Sequence, residues 1–413
     1  MCETTQSMTE NTAKEESRAD GWGTQNGVNE MKHEFARVIR RVTCLAALVG
    51  AMGMVCPAFA QILPSDHHQS VSLTFDRSSV PDSWIFRRQH NTHYTPGNGI
   101  GSRTAHVCRS NVDTTLGACP VRPANVFAPT PTSITLRFME ERSKLQVDLV
   151  VGAIKVITVS GSTCTHVNTP FHSNRDRGRC QAGPYDVSRY TLSISRAELQ
   201  KIPVGGLWRA RLEFYVRELE NPVPSATHSY DIELRVTDNQ NAQIYFPTLS
   251  SISPRVALDL RRRPGPNFVP IVYGGRSVDM CFYDGFGSNS PGALRVRASD
   301  ARANFPARPP GNGLLVRRGT DGSQPRQRIE YRVGLTYAGA HRWVNVGDTV
   351  GTSFTSVAQA PIRIVRLPGI PAPVACTPGT LAFEVVPFVE REKDAGSFEG
   401  PLRIEMFVDA ARM

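Results

Sequence analysis

The sequence predicts an all-β protein built from two β-sandwich domains. Three observations carry that reading. Apolar and polar residues alternate at period two in segment after segment, the pattern of half-buried strands. Gly 33 and Pro 30 are spread along the whole length and interrupt each segment within about 8 to 12 residues, which is sandwich spacing. A length of 413 residues suits two domains of roughly 150 to 200 residues better than one.

In chain order, Val71, Leu73 and Phe75 alternate first, then Ile134, Leu136 and Phe138, then Leu145, Val147 and Leu149. Ile154, Val156 and Ile157 follow less strictly. The clearest segment runs from Leu207 to Val216, with Trp208, Ala210, Leu212, Phe214 and Val216 on one face and Arg209, Arg211 and Glu213 on the other. Tyr230, Ile232, Leu234 and Val236 supply another strand. The one helical turn predicted follows Ser195, an N-cap residue, over Arg196 to Lys201. The polar break Thr237 to Asn241 marks a domain boundary. Beyond it, strands resume at Val256 to Leu260, Val278 to Phe282, Leu294 to Arg297, Ile329 to Leu335, Ile362 to Val365, Leu381 to Val386 and Leu402 to Phe407. The expected domains are 61–238 and 244–413, joined by a linker at 239–243.

Residues 31–60 read as an export signal. Met31, Lys32, Arg37, Arg40 and Arg41 make a positive start, Cys44 to Val55 is an apolar stretch too short to span a bilayer, and Ala58-Phe59-Ala60 is a small-x-small cleavage site. Residues 1–30 are read as an extension ahead of the true start at Met31. Removal of the signal leaves six cysteines, Cys108, Cys119, Cys164, Cys180, Cys281 and Cys376. An even number in an oxidising compartment points to disulfides, and six allow fifteen connectivities. Proximity favours 108–119 and 164–180, which leaves 281–376.

The net charge is +10, carried after residue 60 almost wholly by arginine. Between Arg87 and Arg179 there are ten arginines and two lysines against five acids, a concentrated positive field. Arg175, Arg177 and Arg179, beside Cys180, are the candidate receptor-binding residues, because guanidinium forks recognise carboxylate and sulfate with paired hydrogen bonds. The alternative is a solvated charge run. Nucleic acid is not expected as a partner: the loop lacks interleaved aromatic platforms. His90-x-x-His93, with His106 as a third group, has no helix to aim its rings and is read as solvated loop histidine; Glu140 and Glu141 are read as solvated at a strand end. No G-x-S-x-G elbow or C-x-x-C pair occurs in the sequence. No enzyme activity, cofactor or metal is expected.

Several stretches then resemble one family. Tyr230 to Asp238 followed by Gln243-Ile244-Tyr245-Phe246-Pro247 is similar to the domain junction of CblD-like pilus biogenesis initiators, the tip proteins of alternate chaperone–usher fimbriae of the cable-pilus and colonisation-factor type. Asp279, Met280, Cys281, Phe282, Tyr283, Asp284 and Gly285 resemble that family's hallmark pilin-domain motif; Val204 to Ala210 and Lys393 to Phe407 also match. The resemblance implies two immunoglobulin-like domains, an adhesin domain and an incomplete pilin domain lacking its last strand. It further implies a periplasmic chaperone, an outer-membrane usher and a donor strand from a major pilin as partners, a host glycan or other anionic surface as receptor, and a location at the fimbrial tip on the cell surface. Gln61 to Gln69, with Pro64 and His67-His68, makes a poor donor strand, as a tip protein would. The rival readings are a free secreted β-sandwich lectin, a polysaccharide-active enzyme and an assembly chaperone.

Overall fold

A computed structural model describes residues 64–94, 104–124, 130–159, 170–172, 185–218, 221–300, 310–354 and 360–408. The export segment 31–60, the extension before it, and the Cys164 and Cys180 pair lie outside the described residues.

The first half holds β1 (His67–Asp76), β2 (Ser83–Tyr94), β3 (Thr104–Cys108), β4 (Thr132–Glu140), β5 (Gln146–Val159), β6 (Pro170–His172), β7 (Tyr185–Ser195), α1 (Arg196–Leu199), β8 (Gly206–Glu218) and β9 (Ala226–Thr237). The strands run in the order β1-β9-β8-β4-β5-β7-β2, with β3 on β8 and β6 on β5. β1 and β9 pair in parallel over ten residues, from His67 opposite His228 to Asp76 opposite Thr237. β4 and β8 share only two register pairs, Met139 with Arg209 and Glu140 with Trp208. The two end strands of the sheet meet where Arg87 donates to Gln69 Oε1 at 2.9 Å. The alternation seen in the sequence becomes the inner face: Leu136, Phe138, Leu149, Trp208, Tyr230 and Leu234 are fully buried. The segments around Leu149 and Ile154 are one strand, β5, running through Gly152. Helix α1 is one turn, capped by Ser195 accepting from the Glu198 N–H at 3.4 Å.

The second half holds β10 (Gln243–Tyr245), β11 (Asp259–Pro264), β12 (Pro270–Tyr283), β13 (Leu294–Asp300), β14 (Gly313–Arg317), β15 (Arg328–Tyr337), β16 (Ala340–Val344), β17 (Thr352–Phe354), β18 (Arg363–Val365), β19 (Val374–Val389), β20 (Phe398–Glu399) and β21 (Leu402–Val408). One sheet has the order β10-β12-β19-β15-β14-β20, with β11 on β12, β16 on β15 and β18 on β19; the other is β17-β13-β21. Met280, Phe282, Val296, Val333, Leu335 and Leu381 fill the space between them. The molecule is therefore a two-domain all-β protein.

Two differences from the sequence reading have clear causes. His90 and His93 lie on strand β2 and not in a loop. Pairing of β2 with β7 shifts register between Ile85 and Arg87, between Arg87 and His90, and between Asn91 and His93, and each bulge breaks the period-two signal. The strand expected over Val256 to Leu260 is divided: β11 begins at Asp259, and 254–258 has no strand partner.

Candidate functional site

The Cys281 region explains why one stretch of β12 is apolar on both faces. Met280 and Phe282 point into the core of the second half. Cys281 and Tyr283 point the other way and join the cluster that contains Trp208 and Tyr230 of the first half. Asp279, just before them, is exposed. A strand buried on both sides loses its alternation, so the motif reads as a continuous apolar run. The Cys281–Cys376 disulfide spans 95 residues and packs in the same cluster as Leu367, Ile370 and Val374. Cys108 is bonded to Cys119.

Past β12 the chain turns sharply. Asp284 is buried and accepts from the N–H groups of Phe286 and Ser288, both at 2.8 Å, and from Ser290 Oγ at 2.7 Å. Gly285 sits at φ +75°, where a Cβ would meet the Asp238 carbonyl oxygen at 2.7 Å. Its own carbonyl accepts from the Asp238 N–H at 2.7 Å. Arg142 reaches across from the first half and donates to the carbonyl oxygens of Ser288, at 2.7 Å, and Ala360. Glu140, expected to be solvated, is completely buried there. Its carboxylate accepts from Ser143 Oγ at 2.7 Å and Asn289 Nδ2 at 2.8 Å, so burial is offset by hydrogen bonds.

The far side of the second sandwich is built differently. On β13, Leu294, Val296 and Ala298 are almost wholly buried. Opposite them on the neighbouring β21 lie Val408, Met406 and Ile404. These three, with Leu402, pack on the same core yet remain half-exposed. Among the described residues β21 has no second neighbour. Residues 254–258 belong to no strand, with Pro254, Val256 and Leu258 half-buried and Arg255 and Ala257 exposed, and Val256 packs on that core as well. Two segments thus present half-covered apolar rows, β21 with its outer edge unpaired among the described residues and 254–258 outside any strand. Completing the burial of the four β21 side chains would contribute on the order of 4 kcal/mol.

This geometry has known counterparts. Residues 56–239 match the model of the first domain of the CFA/I fimbrial protein CfaE, and residues 242–410 match that of its second domain. The chain belongs to the CfaE family of fimbrial proteins. CfaE of Escherichia coli is 28% identical over 333 residues, which is 80% of this chain and 87% of that protein. The crystal structure of CfaE, the adhesive subunit of CFA/I fimbria of enterotoxigenic Escherichia coli, matches with a TM-score of 0.72 at 26% identity, over 86% of this chain and 95% of that one. A mutant form of CfaE matches with a TM-score of 0.69 at 25% identity over the same shares.

In this CfaE relative, Arg175, Arg177 and Arg179 lie outside the described residues. Several cations of the stretch from Arg87 to Arg179 have partners of their own. Lys155 is completely buried and donates to the Thr104 carbonyl. Arg137 pairs with Asp148 at 2.9 Å and Arg109 with Glu213 at 3.0 Å. His106 is buried on β3, its ring 4.4 Å from that of Tyr190, so it is not a solvated loop histidine; His67 is partly buried on β1. No group of three His, Cys, Asp or Glu among the described residues is placed to hold a metal ion.

Proposed function

We propose that this protein is the tip component of a chaperone–usher fimbria: it initiates assembly by accepting a donor strand in its second domain and adheres through its first. The observation that carries this is the half-exposed row Leu402, Ile404, Met406 and Val408 beside the buried row of β13. An extended segment with alternating apolar residues, laid between β21 and 254–258, would pair with the free edge and cover both rows. A periplasmic chaperone covers them first, then the N-terminal strand of a major pilin delivered at the outer-membrane usher; the assembled tip is displayed at the cell surface.

The tip position rests on the N-terminal segment. His67 to Gln69 begin β1, the Thr227 N–H donates to Asp66 Oδ1 at 2.7 Å, and His228 Nε2 lies 3.2 Å from the Ser65 carbonyl. A segment held this way is not free to complement another pilin. The domains are 61–238 and 244–413, and Asp279 to Gly285 form their joint. Arg175, Arg177 and Arg179 contact an anionic receptor, a host glycan or another surface group. The function is binding and assembly without catalysis.

The test compares protein from Gln61 onward, made in the periplasm alone and with a major-pilin donor strand fused after Met413. Aggregation of the bare protein and a soluble, more stable fusion are the expected results. A bare protein already stable, and unaltered by the strand, refutes the reading. Replacing the three loop arginines by Ala should weaken adhesion to anionic cell surfaces at low salt with folding intact.

A further inference from the structure

The β11–β12 hairpin of the second domain ends in a feature that neither the core nor the open edge uses. Phe268 is 96% exposed, and it sits at φ +60° directly after Asn267 at φ +57°. The turn is closed by Val269 N–H donating to the Pro266 carbonyl at 3.3 Å and by Gly265 N–H donating to the Val269 carbonyl at 3.0 Å. Two successive left-handed residues suit such a two-residue hairpin turn, where Asn followed by Gly is the relaxed choice. A bulky aromatic in that conformation, packed on nothing, is strained. Pro264 and Pro270 face each other at the base, and Pro266 precedes the turn, so the tip is stiff before it meets anything.

The strand leading to the tip is Asp259-Leu260-Arg261-Arg262-Arg263-Pro264, and every residue of it is exposed. Successive side chains leave a strand on opposite faces, so Arg261 and Arg263 project on one side and Arg262 on the other. Arg262 pairs with Glu390, and Arg276 lies 3.6 Å from Asp259. Arg263 stacks 5.3 Å from the ring of exposed Tyr273. Charged residues and prolines on a free edge deter unwanted strand pairing, which accounts for the arginines but not for Phe268.

We propose that this hairpin is an interfacial probe for an anionic, phosphate-bearing lipid surface, with Phe268 entering the headgroup layer and Arg261 and Arg263 meeting the phosphates beside it. The tip is convex, so it offers a small ligand no pocket. A ring at the tip with guanidiniums behind it is the distribution expected for shallow insertion, where apolar burial and electrostatic attraction add. Its stiffness reduces the ordering cost of binding.

The test uses the protein from Gln61 onward with the donor strand fused after Met413, purified from the periplasm and carrying Phe268→Cys labelled with an environment-sensitive fluorophore. It is mixed with phosphatidylcholine vesicles with and without phosphatidylglycerol. Blue-shifted emission on anionic vesicles alone, reversed by high salt, is the expected result. In unlabelled protein, Phe268→Ser and the Arg261→Ala, Arg263→Ala pair should each weaken vesicle flotation at least about tenfold. Thermal stability should be unchanged, because none of these side chains is buried. Arg326→Ala with Arg403→Ala, exposed cations elsewhere, should leave flotation unaltered. Equal loss in that control pair would make the attraction a property of net charge and overturn the proposal. So would binding of polyglutamate without any binding of vesicles, which would assign the hairpin to an acidic protein partner.

Discussion

Asn289 donates from Nδ2 to Oε1 of Glu140 at 2.8 Å, joining residues 149 positions apart across the contact between the two domains. Glu140 is completely buried, so every donor around its carboxylate substitutes for water. Removing a partner from a buried charged acceptor costs roughly 1.5–3 kcal/mol. Asn289→Ala should therefore lower the unfolding free energy by about 2 kcal/mol, read from chemical denaturation. Asn289→Ala made in a Glu140→Leu background should cost less than in wild type, since only the bonds from Asn289 Nδ2 to the Phe286 and Gly287 carbonyls remain to be lost; full additivity would show that the bond to Glu140 joins nothing.

Gly205 makes the tightest approach at this contact. A Cβ there would lie 2.1 Å from the carbonyl oxygen of Gly285, a backbone atom that cannot swing away. Gly205→Ala must push the start of β8 from the Asp284–Gly285 turn and stretch the bond from the Asp238 N–H to the Gly285 carbonyl. Overpacking of this kind costs roughly 1–3 kcal/mol. Limited proteolysis should show faster cleavage around 239–243, while far-UV circular dichroism stays that of an all-β protein. Cleavage at the wild-type rate would show that the turn absorbs the methyl group.

How far the sequence disclosed this arrangement depends on how many faces of each strand are covered. β1, β4, β8, β9 and β15 cover one face, β21 half-covers one, and their alternation was legible. β2 was missed because its bulges break the period, and β16 because Ala340, His341, Arg342 and Trp343 are all exposed at a sheet edge. The Asp279 to Gly285 stretch was legible as a motif but not as a joint, since its second covering layer comes from residues far away in the chain. Glu140 carried no signal at all. A carboxylate at a strand end looks solvated until Ser143 and Asn289 are placed around it.

Burial of His228 makes the first domain acid-sensitive. Desolvation holds its pKa down at about 4, with positive His67 and Arg87 adding and Ser65 and Asp66 opposing. His67 is lowered too, again chiefly by burial. Tyr190 Oη lies 3.0 Å from His228 Nδ1, and the rings of Phe214 and His106 stand beside it. A neutral ring accepts at Nδ1 and donates at Nε2, which suits both contacts. Between pH 6.5 and about 4 the unfolded chain takes up a proton that the folded one refuses. Stability is thus complete above pH 6.5 and falls as pH drops through that window, by about 3 kcal/mol for His228. His228→Gln should flatten most of the slope in melting temperature over this range. An unchanged slope would place the acid sensitivity elsewhere.

The two described disulfides differ in the loop they close, and loop length ranks their effects. Cys108–Cys119 spans 11 residues and Cys281–Cys376 spans 95. Chain-entropy arguments assign about 3 kcal/mol to the shorter loop and about 5 kcal/mol to the longer. The longer one also packs in the cluster that joins the domains, so its loss removes buried contacts there. Paired Cys281→Ser and Cys376→Ser substitutions should lower periplasmic yield sharply and reduce the denaturation midpoint more than Cys108→Ser with Cys119→Ser. Equal effects of the two pairs would mean that the unfolded chain is already compact across residues 281–376, so that closing the long loop removes little freedom.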